Sequence, residues 1–167
     1  MSNPKIRIKV EGFGEMCAEL YPDVAPITVE NFMNLVRAKH FDGLIFHRVI
    51  PGFMIQGGGY TPDFEQREAK SIKGEFRANG FKNDLKHEKG VLSMARTSAP
   101  NSASSQFFIM HARAPHLDGQ YAAFGKVYEG LDVVDKIAVV PTTIKMWMYQ
   151  DCPRKDVVIK TIEEITE

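Results

Sequence analysis

Arg48 has clear potential for chemistry in this sequence, because its guanidinium stands between apolar residues. A guanidinium stays charged in a protein, so it must be paired or must face a wet cleft. Phe53, Met54 and Gln56 follow within eight residues. One cation, two large apolar groups and one amide outline a pocket that could hold a small apolar ring beside a carbonyl. The same residues also suit a surface ion pair, with the two apolar side chains in the core.

Further apolar side chains could complete such a pocket. Phe107, Phe108 and Leu117 come from other segments, and Gln106 would add an amide to the rim. Ala95 lies among small residues, which would leave backbone groups free to pair with an extended peptide. Phe107, Phe108 and Leu117 equally suit the core.

A strand, a tight turn and a second strand are expected to position the arginine. Pro51 presets its own φ and Gly52 tolerates positive φ, as tight turns need. The flanking segments 44–49 and 53–56 are rich in β-branched and aromatic residues, which favours strands. Because side chains alternate along a strand, the first two residues of the second strand line one site only if the strand bulges or the site wraps its edge.

The rest of the chain combines short strands with two helical segments. One helix is predicted from Thr28, as N-cap, to about Lys39, and another over 131–139. Residues 58–88 lack periodicity and predict a long loop that is functional or ordered by its own packing. Strands are predicted over 5–10, 16–20, 91–95, 105–110, 120–127 and 156–163. These elements predict an antiparallel barrel or sandwich with helices packed outside, as one domain spanning 1–167.

Charge and composition exclude several classes of protein. Lys plus Arg and Asp plus Glu each number 21, so no basic field suggests a nucleic-acid partner. The N-terminus has no apolar signal region and no apolar run approaches a membrane span. Cys17 and Cys152 cannot build a disulfide framework, and the cytosol would keep them reduced. A cytoplasmic protein without a membrane partner is expected.

Residue spacing argues against metal, nucleotide and nucleophile sites. None of the five histidines forms a His-x-x-x-His pair, and there is no Cys-x-x-Cys clamp. Gly57–Gly59 follows a predicted strand but matches neither the dinucleotide nor the P-loop spacing. Ser93, Ser104 and Ser105 do not sit in a nucleophile elbow.

Three long segments resemble one known family. They read FHRVIPGFMIQGG (46–58), GVLSMARTSAPNSASSQFFI (90–109) and HLDGQYAAFGKV (116–127). They closely resemble the cyclophilins, the peptidyl-prolyl cis/trans isomerases, and the likeness runs in order from about Lys5 to Ile162. Residues 79–98 are most similar to the cytoplasmic bacterial members. The resemblance implies an eight-stranded antiparallel β-barrel capped by two α-helices, with no cofactor and no metal.

The resemblance also implies roles for individual residues. Arg48 is similar to the family's catalytic arginine. The implied substrate-binding residues are Phe53, Met54, Gln56, Ala95, Arg96, Gln106, Phe108, His116, Leu117 and Tyr121, with Phe108 at the base of the proline pocket. Many relatives carry Asn where Arg96 stands, while the well-known eukaryotic members have Trp at His116 and His at Tyr121. Weakened binding of cyclosporin and retained isomerase activity with altered substrate preference are therefore expected.

An apolar run over 144–149, IKMWMY, holds the only tryptophan and lies where relatives usually have a short polar link. We expect it to fold back onto the barrel. Alternatively it is exposed and marks a partner or self-association site. The leading function is an isomerase acting on proline-containing peptides and unfolded proteins, and the alternative is a proline-peptide binding module or chaperone with little turnover. Nothing in the sequence demands more than a monomer.

Overall fold

A curled antiparallel sheet carries the site, in a computed structural model that describes residues 3–166. Met1, Ser2 and Glu167, which the predicted domain 1–167 includes, lie outside the described residues. The elements described are β1 (Lys5–Val10), β2 (Gly14–Leu20), α1 (Pro26–Arg37), β3 (Phe46–Ile50), β4 (Met54–Gly57), β5 (Val91–Met94), β6 (Phe107–Met110), β7 (Ala123–Glu129), α2 (Leu131–Ala138), β8 (Thr142–Lys145), β9 (Tyr149–Pro153) and β10 (Ile159–Glu164). Within them, eight strands join in the order β10-β1-β2-β7-β5-β6-β4-β3, and β8 pairs with β9 alone.

Backbone hydrogen bonds connect the two ends of the eight-stranded sheet. The Phe46 N–H donates to the Val157 carbonyl at 2.9 Å, and the Ile159 N–H donates to the Leu44 carbonyl at 2.7 Å. These bonds bring the start of β3 against the chain that enters β10, so the sheet curls round into a barrel. The predicted mainly β fold, an eight-stranded antiparallel barrel with two helices, is confirmed.

Helix α1 covers an aromatic core. Its buried residues Val29, Phe32, Met33 and Val36 recur at the spacing of one helical face. The Phe32 ring lies 5.4 Å from the Phe107 ring, centroid to centroid, in an edge-on arrangement. Phe107 is fully buried in this cluster. It therefore belongs to the core and not to the pocket.

The predicted start of α1 is wrong. The helix begins at Pro26, and Thr28 is a fully buried residue inside its first turn instead of the N-cap. The carboxyl group of Glu75 supplies the cap. It accepts hydrogen bonds from the Thr28 N–H and the Thr28 hydroxyl, both at 2.7 Å, and from the Ile27 N–H at 3.2 Å. Proline suits the first helical position because its missing N–H would have no intrahelical partner there.

The long segment 58–88 is ordered by its own contacts, as one of the two predicted possibilities stated. It contains a one-turn 3-10 helix over Arg77–Asn79 and a single bridge between Tyr60 and Gln66. The buried amide of Asn83 donates to the carbonyls of Glu75 and Ala123, both at 2.9 Å. Among the described residues, no helix has the length and apolar character needed to cross a membrane.

Several strands begin later than predicted. β6 starts at Phe107, because Ser105 is drawn into a separate contact in which its hydroxyl donates to the Gly58 carbonyl at 2.7 Å. β7 starts at Ala123, after a turn in which the Gln120 N–H donates to the Leu117 carbonyl at 3.0 Å. The closing strand β10 starts at Ile159, since the residues before it bond to the entry of β3.

The β8–β9 hairpin shows that the expected fold-back of 144–149 is wrong. Its side chains Ile144, Met146, Trp147 and Met148 are exposed by 60, 62, 99 and 69%. Met146 and Trp147 both have positive φ, and the Met148 N–H donates to the Lys145 carbonyl at 3.2 Å. This tight turn places the apolar side chains in solvent, whereas Tyr149 packs against Tyr60 and Phe64 of the barrel.

Candidate active site

A chain of amide hydrogen bonds holds Arg48 at the edge of the sheet. Arg48 in β3 lies directly opposite Gln56 in β4, because the Pro51–Gly52 turn sets the register of the hairpin. The Arg48 Nη1 donates to Gln56 Oε1 at 3.3 Å, and the Gln56 Nε2 donates to Gln106 Oε1 at 3.1 Å. Arg48 forms no ion pair with a described residue, so the surface ion-pair alternative is not what the structure shows.

A cavity with both apolar and polar lining residues lies beside this arginine. Its volume is about 150 Å³, which is the size of a cavity that accepts a benzene ring. The residues lining it are Arg48, Phe53, Met54, Gln56, Ala95, Arg96, Phe108, Leu117 and Tyr121. Phe53 and Met54 both reach it because Phe53 is the last residue of the turn and β4 starts only at Met54. The cavity thus wraps the end of the strand, and β4 needs no bulge there.

The two remaining predicted site residues stand just outside the cavity lining. Gln106 is held by Gln56, and its own backbone carbonyl accepts the Ala95 N–H at 3.0 Å. That N–H is therefore engaged, so the predicted pairing of this segment with an extended peptide would have to use other backbone groups. The His116 ring is exposed and lies 5.8 Å from the Phe53 ring, centroid to centroid. His116 can extend the wall that Phe53 forms.

Arg96 clamps the outer wall of the cavity. Its guanidinium lies 4.6 Å from the centre of the Phe76 ring and 4.7 Å from that of the Tyr121 ring. The Nη2 and Nε atoms donate to the Gln120 carbonyl at 2.7 and 3.1 Å. A planar fork can stack on rings and bond in its plane at the same time. Arg96 therefore fixes Tyr121, whose ring stands edge-on to Phe108 at 5.7 Å.

We expect Arg96→Ala to raise KM for an Ala-Pro peptide about fivefold, because the freed Tyr121 ring no longer holds its place in the wall. The value of kcat is expected to change little, since Arg48 is untouched. Arg96→Lys keeps the charge and loses the planar fork, so it is expected to resemble Arg96→Ala. Steady-state kinetics of wild type and the two variants check this. An unchanged KM in both variants would contradict the role of Arg96 in fixing the Tyr121 ring.

A buried polar group, which the sequence analysis missed, supports the floor of the cavity. The His87 ring stacks under Phe108 at 6.0 Å. Its Nδ1 lies 3.0 Å from Asp118 Oδ1, and its Nε2 lies 2.8 Å from the Ser93 hydroxyl. Serine, histidine and an acid in this order also form hydrolase triads, but Ser93 is fully buried and no substrate could reach it. The three residues therefore brace Phe108.

The sequence offered little sign of this brace. His87 is one of the five histidines whose spacing argues against a metal site, and its partners lie six and 31 residues away. Burial lowers the pKa of His87, while its contact with Asp118 acts in the opposite direction. Among residues 3–166, no three His, Cys, Asp or Glu side chains are grouped to hold a metal ion.

His47 precedes Arg48 in β3, and its side chain is buried. Its ring lies 4.8 Å from the Tyr60 ring, and its Nδ1 has no hydrogen-bond partner among the described residues. Burial lowers its pKa to about 4 from 6.5, with the adjacent Arg48 charge adding to the effect. The ring is therefore neutral at pH 7, which leaves Arg48 as the cation of this strand.

We expect His47 to make the fold sensitive to mild acid. The unfolded chain takes up a proton near pH 6.5 and the folded chain only near pH 4. Between these values the unfolded state binds more protons, so stability falls as the pH falls, by up to about 3 kcal/mol. Urea unfolding of His47→Phe and wild type at several pH values checks this. The gap between the two proteins should change across the window, and parallel curves would refute the prediction.

Known proteins share both this fold and this sequence pattern. The family described as cyclophilin type peptidyl-prolyl cis-trans isomerase/CLD matches residues 5–164. A peptidyl-prolyl cis-trans isomerase of Acinetobacter baylyi is 43% identical over 98% of this chain and 86% of its own. Peptidyl-prolyl cis-trans isomerase B of Escherichia coli is 44% identical over 89% of this chain and 93% of its own.

A solved structure agrees with the barrel described above. The cyclophilin type isomerase of Cryptosporidium parvum, crystallised in the presence of the dipeptide Ala-Pro, superposes with a TM-score of 0.83. It is 29% identical, and the match covers 98% of this chain and 99% of that chain.

The fold and the sequence together place this chain in the class of prolyl-bond isomerases. The chain belongs to the cyclophilin-type peptidyl-prolyl cis-trans isomerase family. Its activity is the cis/trans isomerisation of X-Pro peptide bonds, and assistance to protein folding is the general role of the family.

Proposed function

We propose that the cavity binds the proline ring of peptides and unfolded proteins, and that Arg48 is the catalytic residue. The observation that carries this proposal is the placement of Arg48 by Gln56 at the edge of a ring-sized cavity. Support also comes from the Cryptosporidium relative, which was crystallised in the presence of the dipeptide Ala-Pro. The proline ring would be held by contacts with four apolar lining residues, Phe53, Met54, Phe108 and Leu117.

The chemistry requires only that one resonance be broken. The X-Pro bond resists rotation because its nitrogen lone pair is delocalised into the carbonyl, with a barrier of about 18–20 kcal/mol. No nucleophile and no net proton transfer are needed. If the proline ring is held still while the carbonyl side rotates, the nitrogen becomes pyramidal and regains its lone pair.

Arg48 can donate a hydrogen bond to that nitrogen and another to the carbonyl of the proline itself. The first bond forms only in the twisted state, so it stabilises the transition state more than the planar substrate. Gln56 accepts from one guanidinium nitrogen, which fixes the orientation of the fork before substrate arrives. Preorganisation of this kind avoids rearrangement during the reaction.

The test is exchange spectroscopy by NMR on an Ala-Pro peptide with the wild-type protein. Accelerated exchange, together with shifts of Phe108 and Leu117 amides, is the expected result. Peptide-induced shifts without accelerated exchange would identify the alternative, a proline-peptide binding module with little turnover. Accelerated exchange with no shifts at the cavity would place catalysis elsewhere and overturn the assignment of the site.

We further propose that cyclosporin binds weakly, because the imidazole of His116 offers less apolar surface beside Phe53 than an indole would. We also propose that the protein acts in the cytoplasm as a monomeric single domain. Its cysteines Cys17 and Cys152 are unpaired and buried, as suits a reducing compartment.

A further inference from the structure

The apolar tip, defined as Ile144, Met146, Trp147 and Met148, is a concentrated exposed hydrophobic feature of the described chain. It gathers four of the seven large hydrophobic side chains that residues 3–166 expose. The Trp147 side chain is 99% exposed and so has almost no contact with the barrel. Contiguous exposed apolar side chains of this kind mark interaction sites.

The backbone under the tip is shaped to present these side chains. Met146 and Trp147 adopt φ of 52° and 62°, a region that bulky residues rarely enter. Hairpin turns with two positive φ values favour Asn and Gly at these positions. An ion pair between Lys145 and Asp156 at 3.2 Å ties the hairpin to the segment that leads into β10. Large apolar residues stand where turn-forming residues would relieve strain, which points to a use for their exposed surface.

Tyr149, the first residue of β9, connects the apolar tip to the strand that carries Arg48. The Tyr149 ring lies 5.4 Å from the Tyr60 ring and 6.5 Å from the His47 ring, next to Arg48. The Tyr60 ring also lies 4.8 Å from the His47 ring, so Tyr60 packs between the base of the hairpin and the strand that carries Arg48.

The size and chemistry of the tip favour a transient apolar partner over a second copy of this chain. Its four side chains offer roughly 500 Å² of surface, below the roughly 800 Å² that each partner contributes to a stable dimer. Methionine is flexible and polarizable, and it serves surfaces that accept many sequences. Two methionines flanking an indole thus suit a substrate of varied sequence.

We propose that the apolar tip binds an apolar segment of the same unfolded polypeptide whose proline occupies the cavity. This proposal rests on the proposed function of the cavity and extends its substrate from a prolyl bond to a two-point contact. An extended chain spans at most about 3.3–3.6 Å per residue, so a spacer of about eight residues allows the second contact to lie up to roughly 25 Å from the prolyl bond. Joining two weak contacts on one chain raises the apparent affinity without any new contact at the prolyl bond.

The experiment compares three kinds of tryptophan-free peptide by exchange spectroscopy: a short peptide, a long peptide in two versions, and a serine control. The short peptide is Ala-Ala-Pro-Ala. The long peptide adds a Gly-Ser spacer of about eight residues and the segment Leu-Phe-Leu, made in two versions with that segment before or after the proline. The matched control replaces Leu-Phe-Leu by three serines. We expect KM for one long version to be about tenfold below that of the short and serine peptides, with kcat unchanged.

The decisive variant is Met146→Asn combined with Trp147→Gly. Asn-Gly is a preferred pair for this turn, so the hairpin is kept while the indole and one thioether are removed. In this variant KM for the long peptide is expected to rise to the value for the short peptide. The matched control Val139→Ser changes a side chain with 63% exposure outside the tip and should behave as wild type.

Trp147 also reports on the tip directly, because it is the only tryptophan. Its emission should shift to the blue with the long peptide and not with the serine peptide. Equal KM values for all peptides in wild type, or an advantage that survives in the double variant, would overturn the proposal. A blue shift with phosphatidylcholine–phosphatidylglycerol vesicles alone, or a dimer in sedimentation that the double variant abolishes, would overturn it in favour of a membrane or a second copy. Failure to accelerate the short peptide would instead refute the proposed function of the cavity.

Discussion

Arg48→Ala is expected to lower kcat/KM for an Ala-Pro peptide by about 100- to 1,000-fold. Removing one preorganised donor that acts only in the transition state has an effect of about 2.7–4 kcal/mol in enzymes. The loss should fall on kcat, since the apolar wall around Phe108 and Leu117 still holds the proline ring. Exchange spectroscopy at saturating peptide measures kcat, and a titration of amide shifts measures binding.

Two further variants make this prediction specific. Arg48→Lys retains a cation but lacks the planar fork that Gln56 orients, so we expect it to recover less than a tenth of the wild-type kcat. Arg37→Ala removes an arginine on α1 that pairs with Glu164 outside the cavity, and it should leave kcat and KM unchanged. Near-normal turnover in Arg48→Lys would show that charge alone suffices and would refute the donor role.

Glu75→Ala should destabilise the fold by about 3–4 kcal/mol. The Glu75 side chain is fully buried, and its carboxyl oxygens accept three hydrogen bonds from the first turn of α1. Its removal would leave buried N–H and O–H donors of Thr28 without partners, and each unsatisfied group costs about 1–3 kcal/mol. The favourable interaction of a carboxylate with the positive end of the helix dipole would be lost as well.

Urea unfolding of matched variants checks the cap. Glu75→Gln keeps one acceptor oxygen and the side-chain volume, so it should fall between wild type and Glu75→Ala and supplies the measurement if Glu75→Ala does not fold. Glu30→Ala changes an exposed acid on the same helix and should shift stability by less than about 0.5 kcal/mol. If Glu75→Ala and Glu30→Ala unfolded at the same urea concentration, the capping role would be contradicted.

Local patterns in the sequence were sufficient for the central hairpin. Pro51 and Gly52 fix the turn, and the turn fixes the register that sets Arg48 against Gln56. The barrel strands and the apolar face of α1 likewise follow from periodicities of two and 3.6 residues. These features depend on neighbours in sequence, so they are readable without the tertiary structure.

The resemblance of long motifs added the members of the site that lie far apart in sequence. Ala95, Phe108 and Leu117 come from three segments, and no local rule could bring them to one cavity. In the structure, the alternation of β6 separates the two phenylalanines, so that Phe108 joins the cavity and Phe107 the core.

Only the tertiary structure revealed the capping of α1 by Glu75, the brace of His87 under Phe108 and the exposure of Trp147. Glu75 lies 47 residues from Thr28, and the sequence alone made Thr28 the cap. The sequence favoured burial of the apolar run, because apolar residues usually find a core. The partner of a buried polar group depends on which residues the barrel brings together. The exposure of an apolar run depends on whether the interior of the barrel has space for its side chains. Sequence by itself determined most strands of the barrel, the turn and the family. Long-range packing decided where β6, β7 and β10 begin, formed the β8–β9 hairpin and left its tip in solvent, and chose the partners of buried polar groups such as Thr28 and His87.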